Sequence, residues 1–512
     1  MPRPVARNLV KKSLVDEICA HRLDEAGFEQ YLIKWKHDVP SQAVVSWHYL
    51  NDLASIADSL QVYINNFVVN LKSGYGNGSL QLPPAEVSSL KRKSPHDESP
   101  SSRASSLDTS TSTSSSIPTP LTSQSEVWNG VLLKKSGDIY PHSLASGIDH
   151  IDATTVPTPA MLSTAKAHLV DGVKQGRKFI RRQFLEQLAR IPGPPVTFVN
   201  EVNKETPSLD FTYIQDYVLG EGVSRDDADA VKMGCKKCRP DMGGNKGCEY
   251  TGKCDCLEFA APDESRCKDD EQREHYAAWR SGEADSEGLP KRFPYRRDHV
   301  NNLFVLDSFY LDSRNAIYEC NELCRCGPGC KNRLVQKGRK VPLEIFKTRK
   351  RGFGLRCPID LKRGQYIDRY LGELITDSEA DAREEAGDFN KASYMFWLDK
   401  FAGDEDTPGE LHRSDCYVAD GEKMGGPTRF INHSCDPNCR LFTVSYNRFD
   451  RRIYDLAFFA LENIPAGTEL TFDYMDPEEG EAGQAANDDM DEGGVAVDCL
   501  CGAKNCRGKL WM

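Results

Sequence analysis

The sequence predicts a modular chain of more than one domain, braced by metal rather than by disulfides, and three observations carry that expectation. Its 512 residues exceed one compact core, at roughly 150 residues per domain. Its 18 cysteines crowd mostly into two short regions behind a start, MPRPVARNLVKKS, that lacks the apolar centre of a secretory signal. In a reducing compartment such clustering points to metal. A Ser/Thr/Pro-rich stretch sets the N-terminal module apart from the cysteine-bearing remainder. No run approaches the ~18 consecutive apolar residues of a membrane span, so a soluble, intracellular protein with no membrane partner is expected. The formal net charge of -12 argues against sequence-independent DNA binding through the whole surface and favours a basic polypeptide as partner.

Taken in order, residues 12 to 70 alternate apolar and polar side chains (FEQYLIKWK, VVSWHYL) and then turn helical (SIADSLQVYINNF), which predicts a small sheet closed by a helix. The spacing of YLIKWK and SWHYL resembles a chromodomain, and 1–70 is read as a chromodomain-like module. A methyl-lysine cage needs several aromatic faces around a cation. Trp35 fits one position, while Ser13 and Asp38 stand where the resemblance puts the other two. A reader of methylated lysine and a packing or dimerisation module both remain as readings.

Residues 71–163 (SSRASSLDTSTSTSSSIPTPLTSQS and its surroundings) offer too few large apolar side chains to offset ordering entropy, so a disordered tether is expected. The stretch TAKAHLVDGVKQGRKFIRRQFLEQLARI (164 to 191) has helical periodicity and stops at IPGPP; 164–206 is taken as a helix and flank leading into the catalytic region. Its basic face either touches nucleic acid or is solvated while the other face packs on the next domain.

The cysteine region then begins with Cys235 and Cys238 (CKKC), Cys248, Cys254 and Cys256 (CDC), a lone Cys267, and Cys320, Cys324, Cys326 and Cys330 (CNELCRCGPGC). Paired cysteines so close in sequence place two thiolates on one tetrahedral ion, which suits zinc. Without Cys267, read as a free thiol, nine cysteines remain. They fill the twelve positions of three tetrahedral zincs only if three of them bridge, which predicts a shared cluster with a structural role. The arrangement resembles the pre-SET module of the suppressor-of-variegation histone methyltransferases, departing from it by CxxC in place of the first CxC.

Downstream come RGFG (351 to 354), YLGELIT, SYMFWLD, RFINHSCDPNC and ELTFDY, in that order. These strings resemble the SET domain, and from about 195 to 512 the chain is similar to fungal heterochromatin histone H3 lysine-9 methyltransferases. That resemblance implies a mainly β fold with few helices and a threaded C-terminal segment, an unusual topology. It divides the rest into a pre-SET zinc-cluster domain (207–333), a SET catalytic domain (334–475), an acidic loop (476–498) and a post-SET zinc segment (499–512). It also implies S-adenosylmethionine as cofactor, held by Gly352, Phe353, Gly354, Asn432 and His433 with Arg429 and Tyr394 beside it. Phe353 replaces a tryptophan common there and keeps an aromatic face.

By the same resemblance Tyr474 is the catalytic tyrosine, Tyr370 and Phe472 line the lysine channel, and Asp399 contacts an arginine beside the target lysine. Methyl transfer is an in-line displacement by a neutral amine, so alignment and an apolar channel that disfavours the ammonium are what the chemistry requires. Phenylalanine rather than tyrosine at 472 implies a trimethyl product. Cys499, Cys501 and Cys506 are three thiolates where zinc needs four. The resemblance supplies Cys435, with Cys439 as the alternative. The segment 475 to 498 contains no Lys or Arg and is either merely solvated or helps attract a basic histone tail. The expected partners are the histone H3 tail and heterochromatin proteins, in the nucleus on chromatin. A non-enzymatic chromatin adaptor and an enzyme acting on non-histone proteins are the rival readings.

Overall fold

The computed structural model describes residues 10–23, 26–36, 45–73, 127–128, 131–133, 139–141, 159–225, 230, 232–241, 248, 254–313, 315–386, 394–403, 411–447, 449–475 and 496–511. The chain divides into two compact units, 1–181 and 182–512. Among the described residues no helix is long and apolar enough to cross a membrane.

In the first unit, the alternating segments form an antiparallel sheet of Val15–Leu23, Glu29–Trp35 and Val45–Tyr49. His21 pairs with Tyr31, and Tyr31 with His48. The helix Ala57–Ser73 follows, and Tyr31, Leu32, Ile33, Leu53, Ile56, Leu60 and Ile64 make a solvent-free core. Trp35 is buried, edge-on to His48 at 5.5 Å. Ser13 lies in a short 3-10 turn, and Asp38 falls outside the described residues.

The tether expected over 71–163 needs correction where it is described. Val127–Trp128, Val131–Leu133 and Ile139–Pro141 form a three-stranded antiparallel sheet. VWNGVLLKKSGDIYP carries the hairpin pattern of apolar pairs around Asn-Gly and Ser-Gly-Asp turns, which the surrounding serines and threonines masked. The next helix, Pro159–Ala189, starts before 164 with proline in its first turn, where the missing N–H costs nothing.

That helix is fixed to the sheet of the first unit by a buried carboxylate. Glu29 accepts from the N–H groups of Gln175 (2.5 Å) and Gly176 (2.6 Å) and from the Tyr31 hydroxyl (2.8 Å). A Cβ on Gly176 would stand 2.4 Å from the Tyr31 oxygen and 2.6 Å from Ile64, so glycine is required for the close approach. Burial pushes the Glu29 carboxyl up to about 7, against the opposing pull of its hydrogen bonds.

The second unit is built from short strands with few helices. One sheet has the order Asn432–His433, Glu469–Phe472, Phe353–Arg356, Leu343–Lys347, Val196–Val199. The late segment Glu469–Phe472 thus inserts between two earlier ones, parallel to Asn432–His433 and antiparallel to Phe353–Arg356. A second sheet joins Ile317–Tyr318, Cys439–Ser445, Asp455–Ala460 and Tyr366–Tyr370, and a third joins Met395–Trp397, Tyr417–Asp420, Glu373–Thr376 and Val218–Leu219. Tyr295, Tyr310, Ile317, Tyr366, Phe442 and Phe459 share one core.

The cysteine region grips this core directly. Ile317–Tyr318, just before Cys320, pairs in parallel with Val444 and Ser445. Glu319 is buried and accepts from Tyr295 (2.7 Å), from the Leu334 and Val335 N–H groups (2.7 and 2.8 Å) and from Gln336 (2.8 Å). A buried carboxylate so fully satisfied ties the loop after Cys330 to these sheets.

Candidate active site

Zinc with Zn–S near 2.3 Å puts tetrahedral ligand sulfurs about 3.8 Å apart, and that spacing tests the cysteines. Cys235, Cys238, Cys254 and Cys256 converge, as do Cys248, Cys320, Cys326 and Cys330, and a third set of Cys256, Cys320 and Cys324 shares a member with each of the others. The Cys235–Cys254, Cys248–Cys320 and Cys254–Cys248 sulfurs lie 3.8, 3.5 and 3.3 Å apart. These sets contain the same nine thiols picked out by spacing, and the sharing is what bridged metals require. The donor set therefore fits a zinc cluster. Arg333 reaches the Cys326 sulfur at 3.6 Å, setting a cation against the clustered sulfurs. Cys267 packs elsewhere, with Tyr276, Trp279 and Leu289.

At the chain end, Cys435, Cys499 and Cys501 converge with His433. The Cys435 and Cys499 sulfurs are 3.9 Å apart. Cys506 interacts with both Cys499 and Cys501, and the neighbouring Arg507 N–H donates to Cys435 Sγ at 3.4 Å. Cys439 is buried in its strand with its thiol on Asn438 Oδ1 (3.3 Å), apart from this group. His433 Nδ1 accepts from the Tyr474 N–H (3.2 Å). Burial holds its pKa down, so the neutral ring turns Nε2–H toward Cys435 Sγ at 3.3 Å. The tail is pinned again by Arg507 on Asp473 (2.5 Å).

Beside this metal-ready corner runs a line of aromatic rings. Tyr370 and Phe396 centroids are 4.5 Å apart, Phe396 and Phe472 5.9 Å, and Phe472 and Tyr474 4.7 Å. Two phenol hydroxyls along it donate to main-chain carbonyls, Tyr370 to Tyr394 (2.6 Å) and Tyr474 to Ile431 (2.9 Å). Tyr474 keeps an exposed ring face, 41% by area, while its oxygen points inward. Desolvation around that oxygen pushes its pKa well above the ordinary phenol value.

The glycine-bearing turn borders the same region. Gly352 has φ +66°, and a Cβ on Gly354 would stand 2.8 Å from Glu469 Oε1. Glu469 accepts from Arg351 (2.6 Å) and from Asn432 Nδ2 (2.9 Å). Arg351 also donates to the His433 carbonyl at 2.9 Å, and Asn432 donates to the Phe353 carbonyl at 3.2 Å. The carboxylate thereby locks the RGFG turn to the NHS segment. The Arg429 guanidinium lies over Phe211 (4.3 Å) and Tyr394 (4.6 Å). Near it the buried Tyr213 hydroxyl has no hydrogen-bond partner among the described residues. An orphaned buried hydroxyl beside a cation and aromatic faces fits a site meant for a polar, partly aromatic ligand.

The cofactor and channel residues expected from the sequence are thus brought into one region, while Asp399, two residues beyond the strand that carries Phe396, is partly exposed with Arg413 3.8 Å away. Sequence reasoning missed Glu469, Arg351, Phe396, Phe211 and Tyr213. Glu469, Arg351 and Phe396 sit inside the quoted strings ELTFDY, RGFG and SYMFWLD, which is the signal that could have found them. The acidic loop falls outside the described residues except for 496–498.

Comparison with known proteins gives consistent matches. The SET domain family model matches residues 352–475 and the Pre-SET motif matches 189–333. "Histone-lysine N-methyltransferase, H3 lysine-9 specific KMT1" of Fusarium mangiferae is 42% identical over 320 residues, covering 62% of this chain and 88% of that protein. "Histone-lysine N-methyltransferase, H3 lysine-9 specific dim-5" of Neurospora crassa is 40% identical over 319 residues, with the same two coverages. Among solved structures, the Neurospora SET domain protein DIM-5, a histone lysine methyltransferase, is 37% identical with a TM-score of 0.46, covering 56% of this chain and 97% of that one.

Proposed function

We propose that this chain, which belongs to the SET-domain histone-lysine N-methyltransferases, transfers a methyl group from S-adenosylmethionine to lysine-9 of histone H3. The observation that carries the reading is the run of rings from Tyr370 to Tyr474 ending against the Glu469-locked NHS and RGFG segments. It supports a nucleophile channel and a donor cradle that share a wall.

When bound, the cofactor supplies an electrophilic sulfonium methyl. The chain's own residues do the rest. Gly352, Phe353 and Gly354, with Asn432 and His433, hold the donor, and Arg429 and Tyr394 flank it. Tyr370, Phe396 and Phe472 wall the channel, and removal from water there favours the neutral amine that can attack. The Tyr474 hydroxyl orients the amine lone pair toward the methyl, so the reacting atoms meet in line. No covalent intermediate is needed.

Phe472 leaves the space a tyrosine hydroxyl would fill, which supports a trimethyl product. Asp399 is assigned to an arginine of the substrate, which has to displace Arg413. The nine-cysteine cluster takes three zincs. Cys435, Cys499, Cys501 and Cys506 take a fourth, with His433 donating to Cys435 rather than ligating. That fourth site closes the tail over the channel, and its Arg507–Asp473 contact sits one residue from Tyr474. The enzyme acts on chromatin; nuclear residence and a role with heterochromatin proteins in silencing belong to the same proposal.

Incubation with labelled S-adenosylmethionine and intact histones, followed by peptide mapping, tests it. Label confined to H3 lysine-9 is expected. Label on another histone or another lysine, or none with zinc-loaded protein, contradicts it.

A further inference from the structure

A buried carboxylate close to the channel has no part in the chemistry so far. Asp420 ends the strand Tyr417–Asp420 and is 4% exposed. It stands directly opposite Glu373 on one neighbouring strand and Met395 on the other. Like charges facing each other across strands destabilise a sheet, and an apolar residue would continue the buried run at 417–419 without that repulsion. Arg383, on the helix Asp377–Ala386, answers both carboxylates: its Nη1 lies 2.7 Å from Asp420 Oδ2 and 2.8 Å from Glu373 Oε2, while its Nε donates to Glu379 at 2.8 Å. Charge compensation therefore occupies one oxygen of Asp420. The other, Oδ1, accepts the Glu422 N–H at 2.9 Å, closing an Asx-turn over Gly421.

The backbone of that turn reaches both sides of the site. The Gly421 N–H donates to the Tyr394 carbonyl at 2.9 Å, the same oxygen that takes the Tyr370 hydroxyl at 2.6 Å. A Cβ on Gly421 would stand 2.3 Å from that hydroxyl, so the turn also packs on the channel tyrosine itself. The Gly421 and Glu422 carbonyls accept from Arg429 at 3.4 and 3.3 Å, and the Arg429 guanidinium lies over the Tyr394 ring at 4.6 Å. We propose that Asp420 is a positioning residue for methyl transfer: its hydrogen bond to the Glu422 N–H holds the turn at 420–422, and the turn aligns the lysine channel at Tyr370 with the cofactor flank at Tyr394 and Arg429. The proposal rests on the methyltransferase reading above. Arg383 has a separate part, neutralising Asp420 and Glu373, so stability follows the ion pair while alignment follows the turn acceptor. A carboxylate that only braced the sheet would show no such division.

Three replacements in the full, zinc-loaded chain separate the two parts. Asp420→Asn and Asp420→Ser keep an oxygen that accepts from the N–H two residues on, and Asp420→Ala does not; all three lose the charge facing Arg383. The thermal midpoint is expected to fall in all three. The Kd for S-adenosylhomocysteine, by calorimetry well below the midpoint, is expected to stay within about threefold of wild type for asparagine and serine and to rise about tenfold for alanine, the scale of one hydrogen bond to a charged acceptor. Single-turnover transfer to an H3 tail peptide, at saturating cofactor and peptide, is expected to slow at least about tenfold in the alanine variant only. An alanine variant with wild-type Kd and transfer, or losses that follow the midpoint alike in all three, overturns the proposal. If the alanine chain does not fold, the other two still decide: values within about threefold of wild type despite a lowered midpoint support the proposal, and larger losses in both overturn it. A wild-type chain that neither binds S-adenosylhomocysteine nor transfers methyl overturns the enzyme reading and this proposal together, whereas an active wild type leaves only the pattern among the variants at stake.

Discussion

Replacing Glu469 by glutamine probes how the cofactor cradle is held. Its carboxylate takes the Arg351 guanidinium at 2.6 Å on one oxygen and Asn432 Nδ2 at 2.9 Å on the other, with both partners of the ion pair about 20% exposed. Glutamine keeps an acceptor for Asn432 and removes the charge that fixes Arg351, which in turn holds the His433 carbonyl. A largely buried charge-assisted hydrogen bond contributes about 1.5–3 kcal/mol; discounted for the partial exposure, about 2 kcal/mol is lost. At about 1.4 kcal/mol per tenfold, the Kd for S-adenosylmethionine should rise roughly 30-fold, measured by calorimetry on zinc-loaded protein. Arg351→Met should cost a similar amount, and the double variant little more than either alone, because both remove one interaction. A Kd for Glu469→Gln within about threefold of wild type, or strictly additive losses, refutes the locking role.

Three further outcomes follow from the same geometry. Phe472→Tyr places a hydroxyl beside Tyr474, whose ring is 4.7 Å away, and should stall the product at mono- or dimethyl-lysine; mass spectrometry showing an undiminished trimethyl fraction contradicts it. Chelation should abolish activity and free Ala496–Asp498 and Lys509–Trp511, which pair with each other around the three terminal cysteines; proteolysis of the tail and zinc content should change together. Glu29, raised from 4.5 to about 7 by burial, binds its proton more tightly folded than unfolded. Its stabilising contribution is therefore full below pH 4.5 and lost as pH rises through 7, about 3.5 kcal/mol at about 1.4 per pKa unit. Hydrogen exchange at residues 174–181, corrected for intrinsic rates, should show more protection at pH 5 than at pH 8 and a flat profile in Glu29→Gln; pH-independent protection in wild type contradicts it.

What was readable in the sequence was whatever local spacing enforces. CKKC, CDC and CRCGPGC hold their sulfurs close by chain connectivity alone, so the shared cluster could be counted from the sequence, and Cys267, without a near neighbour, could be set aside. The strand Glu29–Trp35 was legible from its local apolar run, but not its two-sided burial: every residue except Lys34 is buried. Contacts made by distant segments were not. Nothing in ELTFDY marks Glu469 as the clamp on Arg351, 118 residues earlier, and Phe396 looks like any strand aromatic until it meets Tyr370 and Phe472. The Glu29 carboxylate on the Gln175 and Gly176 amides spans 146 and 147 residues and has no sequence signature. The hairpins at 127–141 were missed for another reason: average composition outweighed a short apolar pattern.

The central claim is that the phenol of Tyr474 serves transfer rather than packing or cofactor binding, and paired measurements on Tyr474→Phe test it most directly. Cofactor Kd and single-turnover methyl transfer to an H3 tail peptide are read on the same preparation. The expected result is a Kd within about threefold of wild type with transfer slowed at least about 100-fold, the scale of a lost positioning and proton-handling group. Transfer at the wild-type rate in that variant contradicts the account.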